Sequence, residues 1–479
     1  MIKKWISAYR MSFIRTIVYM LQASEYNLKD YFSWLIRVKS FKSVMYRKSL
    51  VPTTKTKLLL LILWLMIALG ILAATAVGLS VQFSVIYKMF ILAALFILMP
   101  VLISFGITIP LWLGNIFIQK PREKIIISKA RSRLNDNKAI KIAIAGSFGK
   151  TTMREILLSV LGAGKSVVAP PGSYNTPMGV SKFINTLSGS EDIIIFELGE
   201  YYPGDVKFLA EIVKPDIGVI TGVNEAHLSK FKNIENTQAT IFELADYLNG
   251  SKLYVNGENE LAKQKSKFYD SVLYSSKGCG QWIVNSSSTS LSGIDFVVSN
   301  KVKSLNLHSN LLGSHLLGSL LCAIEIAHQL GLKDDEIIKG VANTDSFEHR
   351  MQPKNIGGAI VIDDTYNGNF DGVIAGLNLL KSLKAKRKIY VTPGLVEQGS
   401  KSREVHNKIG QKIGEVNPDI VVLMKNSVTG YIVEGLKKAQ YEGSLRIEDD
   451  PKNFYENINM FVSKDDVVLM QNDWPDSYN

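Results

Sequence analysis

From Lys138 onward the apolar positions alternate between two periods. Short apolar runs at 140–145, 193–196, 217–221, 252–255, 359–362, 389–392, 420–424 and 467–470 read as buried strands. Between them, 152–161, 237–248, 315–330, 373–383 and 404–413 carry a helical period. This alternation predicts parallel sheets joined by crossover helices. The serine-rich stretch 286–304 breaks the rhythm and predicts a small antiparallel excursion. The stretch Asp345-Ser-Phe-Glu-His-Arg350 falls between two such α/β blocks and places a domain boundary at 345–357.

The chain before Lys138 follows another pattern. Leu58 to Val81 is uncharged and long enough to span a bilayer. Lys88 marks a break, and Met89 to Ile118 is a second uncharged stretch, interrupted by Pro100 and Pro110. Its length calls for tilt, a kink or an interfacial end. A two-span hairpin is expected, with a single re-entrant element as the alternative. Residues 1–50 mix Trp5, Ile6, Tyr9, Phe13, Ile17, Leu21, Tyr31, Trp34 and Leu35 with bases. That spacing fits amphipathic helices lying on a membrane, or a packed helical domain. The expected class is therefore α/β. A basic membrane-surface segment (1–56) and two transmembrane helices (57–119) precede a P-loop-type parallel-sheet domain (120–349). A Rossmann-like C-terminal domain (350–479) completes it.

Charge sharpens this picture. Residues 1–56 hold eleven bases and two acids, a charge of +9 out of +12 for the whole chain. The basic character is local to the N-terminus, so it is no nucleic-acid footprint over the folded body, and no nucleic-acid partner is expected. Bases before the first span and after the second place both ends in the cytoplasm, against anionic membrane lipid. The only two cysteines, Cys279 and Cys322, make neither a disulfide framework nor a metal pattern.

The chemistry begins at Gly146-Ser147-Phe148-Gly149-Lys150-Thr151-Thr152, between a predicted strand and a predicted helix. Backbone N–H groups and the helix dipole there would face a phosphate. Lys150 would reach the outer phosphates and Thr151 would sit on Mg²⁺. The general P-loop places a glycine where this chain has Ile144, so this is a shorter form.

That short form resembles the Mur ligase family, ATP-dependent ligases that add amino acids or peptides to the cell-wall precursor. Further motifs follow in the family's order over 138–479. Ser173-Tyr174-Asn175-Thr176-Pro177-Met178-Gly179 resembles the substrate-approaching loop, with Asn175 and Thr176 as implied substrate contacts. Glu197-Leu198-Gly199 ends a strand with a hard oxygen ligand for Mg²⁺. Thr221 to Leu228 contains Asn224, an implied nucleotide contact, and His227, which matches a second metal position. A lone histidine after a strand is more often structural; the order of the motifs favours the metal.

Asp363-Asp364-Thr365-Tyr366-Asn367-Gly368-Asn369 and His349-Arg350-Met351-Gln352 resemble the branch that adds D-alanyl-D-alanine. By that resemblance Arg350 touches ATP phosphate, Asp364 the ribose, and Tyr366, Asn367 and Asn369 the substrate. An arginine supplies a charge-assisted fork for phosphate, and a carboxylate accepts both ribose hydroxyls. Residues 392–399 and 472–476 resemble a membrane-attached subgroup. The implied catalytic set is Lys150, Glu197, His227 and Arg350, with ATP and Mg²⁺ as cofactors. The implied reaction joins D-Ala-D-Ala to a muramyl peptide precursor through an acyl phosphate.

Three departures stand out. The membrane segments take the place of the family's UDP-sugar-gripping domain. The family's carbamate-forming lysine is missing, since no lysine lies between Lys232 and Lys252, and Gln238, Thr240 or Ile241 occupies its neighbourhood. An uncharged residue does not replace a carbamate beside a dication. Finally, the family's adenine-contacting Gly-x-His-Asn-x-x-Asn reads Gly313-Ser314-His315-Leu316-Leu317-Gly318-Ser319, which keeps His315 but neither asparagine. Two rival readings follow: a membrane-attached amide ligase of the poly-γ-glutamate type, and a nucleotide-binding scaffold without turnover.

Overall fold

The computed structural model describes residues 2–24, 26–44, 50–79, 84–172, 174–224, 231, 233–249, 252–366, 368–395, 398 and 401–472. It divides into two compact units, Met1–Ile125 and Ile126–Asn479.

The first unit is helical. It contains α1 (Ile2–Ile6), α2 (Phe13–Ala23), α3 (Leu28–Arg37), α4 (Thr54–Leu79), α5 (Val85–Gly106) and α6 (Thr108–Gly114). A π-helical turn at Asn115–Gln119 leads into α7 (Lys120–Asn135). Lys88 lies inside α5 rather than at a break, because one cation near a helix end does not interrupt the backbone ladder. Helix α4 and the continuous run Val85–Asn135 are long and apolar enough to cross a membrane, by length and composition alone. Most of their apolar side chains are exposed, among them Leu61, Trp64, Leu69, Phe90 and Ile97.

Helices α2 and α3 do not present a bare apolar face. Ile17, Leu21, Tyr31 and Leu35 are buried in one cluster with Leu59 and Leu63 of α4 and Ile103 of α5. The Tyr31 hydroxyl donates to Ser104 O at 2.9 Å. These positions therefore pack against the apolar helices, which supply their partner.

The second unit holds two sheets. In chain order its first part runs β1 (Ile140–Ala145), α8 (Lys150–Gly162), β2 (Val167–Val168), α9 (Pro177–Ile184), β3 (Ile193–Glu197), α10 (Asp205–Val213) and β4 (Ile217–Ile220). There follow α11 (Ile234–Leu248), β5 (Leu253–Asn256), α12 (Glu260–Ser266), β6 (Ser271–Ser275) and β7 (Gly278–Cys279). The part closes with β8 (Trp282–Ser290), β9 (Gly293–Ser299), β10 (Ser304–Ser309), α13 (Leu317–Gln329) and α14 (Asp334–Ala342). The sheet order is β10-β9-β8-β7-β6-β5-β4-β1-β3-β2.

Strands β2 to β6 and β1 pair in parallel, whereas β6 to β10 pair antiparallel. The expected antiparallel excursion is thus continuous with the main sheet, which is mixed rather than parallel. Ser286, Ser287, Ser288 and Ser290 lie in β8, where the consecutive positions 285–288 are exposed and need no apolar side chain. The segment expected to be helical from His315 begins as a 3₁₀ turn, with regular helix from Leu317.

The second part runs β11 (Gln352–Ile356), β12 (Ala359–Asp364), α15 (Phe370–Ser382), β13 (Lys388–Thr392), α16 (Ser402–Val416), β14 (Ile420–Met424) and α17 (Thr429–Lys438). It ends with β15 (Ser444–Glu448), α18 (Pro451–Glu456), α19 (Ile458–Phe461) and β16 (Val467–Gln471). Its sheet order is β11-β12-β16-β13-β14-β15, parallel except for β11. Both sheets carry apolar clusters on their two faces.

Strand β1 lies between β3 and β4; the chain leaves β1 through α8 on one face of the sheet and leaves β3 through α10 on the other. The chain therefore leaves the C-terminal end of β1 at a topological switch point, where α/β sheets open a crevice. The loop 146–149 sits there.

Candidate active site

The loop turns sharply at Gly146, whose φ is +148°. A Cβ at that position would lie 2.1 Å from Thr221 Oγ1 at the end of β4. Gly146→Ala is expected to destabilise the protein by about 1–3 kcal/mol, seen as a lower urea midpoint. The Ser147 N–H donates to Gly222 O at 2.9 Å, and the Asn224 N–H to Ser147 Oγ at 3.2 Å. The loop is thus laced to the chain after β4 and hands over directly to the N-terminus of α8.

Two cation–carboxylate pairs fill this crevice. Lys150 Nζ donates to both Glu200 carboxylate oxygens at 2.8 Å and also to Gly146 O. Arg154 Nη1 lies 2.8 Å from Glu197 Oε1, which has no aligned hydrogen bond, while Thr151 Oγ1 donates to Glu197 Oε2 at 3.1 Å. Burial pushes the Glu197 carboxyl up, against the pull of Arg154, Thr151 and Lys150. Burial does the same to Glu200, against Lys150. Arg154 further donates to Gly172 O at 2.6 Å, to Pro170 O at 3.3 Å and to Glu155 Oε1. One guanidinium therefore ties α8, the end of β3 and the loop before α9 together.

On the far side of the crevice stand residues of the second sheet. A cavity of about 320 Å³ is lined by Gly149 and Thr152 from α8 and its loop, and by Asn256, His315 and Ser319. Arg350, Asp364, Tyr366 and Asn369 line it from the opposite side. The Arg350 guanidinium sits 4.9 Å from the Tyr366 ring centroid. Burial lowers the Arg350 pKa, with Asp364 opposing. Asp364 accepts from Gln471 Nε2 at 2.8 Å and from the Met351 N–H at 3.3 Å; burial raises its pKa to about 6. Asp363 turns away and pairs with Lys354 at 2.6 Å and His349 at 2.9 Å.

Comparison with known proteins assigns this arrangement. Residues 144–327 match the Mur ligase middle domain, and residues 349–471 match the Mur ligase glutamate ligase domain. The chain belongs to the Mur ligase family. It is 29% identical over 301 residues to the UDP-N-acetylmuramoyl-tripeptide–D-alanyl-D-alanine ligase of Borreliella burgdorferi, covering 59% of this chain and 62% of that one. It is 29% identical over 281 residues to the enzyme of the same name from Mycobacterium tuberculosis, covering 56% and 55%. The chain thus spans less than two thirds of the length of these relatives.

Solved structures of MurF from Acinetobacter baumannii (TM-score 0.65, 20% identity, 73% of this chain and 77% of that one) share the fold. So does MurF ligase from Thermotoga maritima in complex with ADP (TM-score 0.64, 22% identity, 73% and 80%).

Within this Mur ligase the structure brings most of the expected residues to one crevice. Gly146, Ser147, Gly149, Lys150, Thr151, Thr152 and Glu197 form its floor, with Asn224 hydrogen-bonded to the loop. Arg350, Asp364, Tyr366 and His315 line the adjoining cavity. Thr176 and Asn369 are helix N-caps: their side chains accept from the N–H groups of Gly179 at 3.2 Å and Gly372 at 2.9 Å. Asn175 meets the end of β3 through its carbonyl, which accepts from the Gly199 N–H at 2.9 Å. His227 and Asn367 lie outside the described residues, as do Ser173 and 473–476.

Glu200 and Arg154 were not singled out in the sequence. A carboxylate three residues beyond Glu197, and a base four beyond Lys150, were the available signals. Both needed the fold to bring them to the loop.

Proposed function

We propose that the protein is an ATP-dependent amide ligase that joins D-alanyl-D-alanine to a muramyl peptide. The observation that carries this reading is the apposition, across one cavity, of the 146–152 loop with Arg350 and Asp364. A phosphate cradle on one sheet facing a guanidinium and a carboxylate on the other suits a nucleotide clamped between them.

The residues present also fit Mg²⁺. Thr151 and Glu197 supply hard oxygen donors side by side, and Glu197 Oε1 is buried without an aligned hydrogen bond. Among the described residues no cluster of three or more His, Cys, Asp or Glu is suited to a metal. A cation there would be held by the Glu197 carboxylate, the Thr151 hydroxyl and substrate phosphates. When bound, the cation would neutralise charge on the phosphates.

The reaction reads as follows. The carboxylate of the muramyl peptide attacks the γ-phosphorus of ATP, forming an acyl phosphate and releasing ADP. Lys150 stabilises the charge that develops on the transferred oxygens. The amine of D-Ala-D-Ala then attacks the acyl carbon and loses a proton, and phosphate leaves as the amide forms. Arg350 and Asp364 hold the nucleotide from the second sheet, so the cavity closes over it.

The test offers the purified protein ATP, Mg²⁺, muramyl tripeptide precursor and D-Ala-D-Ala. Phosphate release that requires both substrates is expected. Release with a different amine alone would favour the rival ligase. ATP binding without release on any muramyl peptide would sink the ligase reading in favour of the scaffold.

Asp364 makes nucleotide binding depend on pH. Its raised pKa keeps the carboxyl neutral below about pH 6. A protonated carboxyl loses its capacity to accept from two ribose hydroxyls. ATP affinity is therefore expected to fall between pH 7 and pH 5. Asp364→Asn should weaken ATP about 10- to 100-fold at pH 7.5 and flatten that pH dependence, as read by calorimetry.

We further infer that α4 and the run from Val85 cross the cytoplasmic membrane, with catalysis on the cytoplasmic side. Their exposed apolar side chains and the basic segment before them support this. Full-length protein should stay with membranes through a high-salt wash and leave only in detergent.

A further inference from the structure

We propose that Glu200 is a latch on the phosphate-binding lysine, so that ATP must displace this carboxylate before Lys150 can serve the triphosphate. The inference rests on the nucleotide reading above and adds a residue that reading does not use. Both Glu200 oxygens lie 2.8 Å from Lys150 Nζ, and the two side chains are only 5% and 13% exposed. A desolvated pair of this kind is hard to break, because neither charge has water to turn to. Lys150 is at the same time curled over its own loop onto Gly146 O. Its ammonium is therefore already satisfied by protein oxygens before any anion enters at the N-terminus of α8.

A carboxylate inside an anion-binding crevice is costly for that function. Backbone N–H groups, a helix N-terminus and a lysine all favour negative charge there. Glu200 takes part of that field for itself. It is fixed in place by the chain around it: the neighbouring Gly199 N–H is bonded to Asn175 O at 2.9 Å, in the loop leading to α9. Displacing the carboxylate therefore takes a rotation of the Glu200 side chain and not a shift of the strand end. Glu197, on the same strand end, is paired with Arg154 and hydrogen-bonded by Thr151, so Glu200 is the carboxylate that bonds Lys150 directly. Glu200 acts through Lys150 and is a positioning residue.

Removing the latch should then improve nucleotide binding, an effect opposite to that of structural damage. The experiment measures Mg²⁺–ATP affinity by calorimetry on full-length wild type, Glu200→Gln and Glu200→Asp in detergent. Thermal melting with and without ATP accompanies it. Glu200→Gln is expected to bind ATP about tenfold more tightly, equivalent to about 1.4 kcal/mol. It should melt lower without nucleotide and gain more from ATP than wild type does. Glu200→Asp, which keeps the charge on a shorter arm, should lie between them. Binding by wild type with unchanged or weaker affinity in Glu200→Gln overturns the latch and leaves the nucleotide reading intact. Absence of ATP binding in all three folded proteins overturns both.

Discussion

Phosphate release falls by at least about 10³-fold in Lys150→Ala, with both amide-forming substrates present. Among the described residues Lys150 is the only side-chain cation hydrogen-bonded to a carbonyl of the phosphate loop. Arg154 is the nearest alternative, but three hydrogen-bonding partners and its ion pair with Glu197 already hold it. The same substitution strands Glu200 as a buried carboxylate without its partner. Breaking such a pair from one side costs about 3–5 kcal/mol.

The two consequences separate in a double variant. Lys150→Ala with Glu200→Gln should recover most of the melting temperature and none of the turnover. Full recovery of turnover would remove Lys150 from the chemistry.

Arg154→Ala is expected to lose about 3–5 kcal/mol of stability, read from urea denaturation, through a different route. Its removal leaves Glu197 buried without a counter-charge and frees the carbonyls of Pro170 and Gly172. The loop before α9 then loses its tie to the phosphate-binding helix. Arg154→Lys keeps a charge for Glu197. An ammonium on a flexible stem cannot hold the planar fork that meets Glu155, Glu197 and two carbonyls together. It should recover about half of the loss. A loss below about 1 kcal/mol in Arg154→Ala would show that these contacts are replaced by solvent.

Local order was legible in the sequence wherever one element carried the whole signal. The strand, loop and helix at 140–162 form one continuous pattern, and the structure reproduces it with the phosphate loop at the end of β1. The acidic pair at the end of β12 could be located, but the different fates of its members could not. Asp363 and Asp364 alternate across the strand, and only the fold shows that one meets Lys354 and His349 while the other faces the cavity.

Contacts made across the crevice were hidden. Glu200 reads as an ordinary charge after a strand until β3 sets it against Lys150, fifty residues away. Thr176 and Asn369 also cap helices, a role that shares its chemistry with polar site residues and shows only in their hydrogen bonds. The serine-rich stretch was legible as antiparallel, yet its union with the main sheet depends on β6 pairing with β7.

Helices α8 and α14 meet at Gly340, where a Cβ would lie 2.5 Å from Val160 O, and Ser159 Oγ donates to Gly340 O at 2.9 Å. The two backbones touch with no side chain between them to act as a cushion. The segment directly after α14 is fastened by Thr344 to Ser309 at 2.7 Å and leads to Arg350. Any side chain at position 340 would therefore push apart the helix that follows the 146–149 loop and the helix that precedes the Arg350 segment.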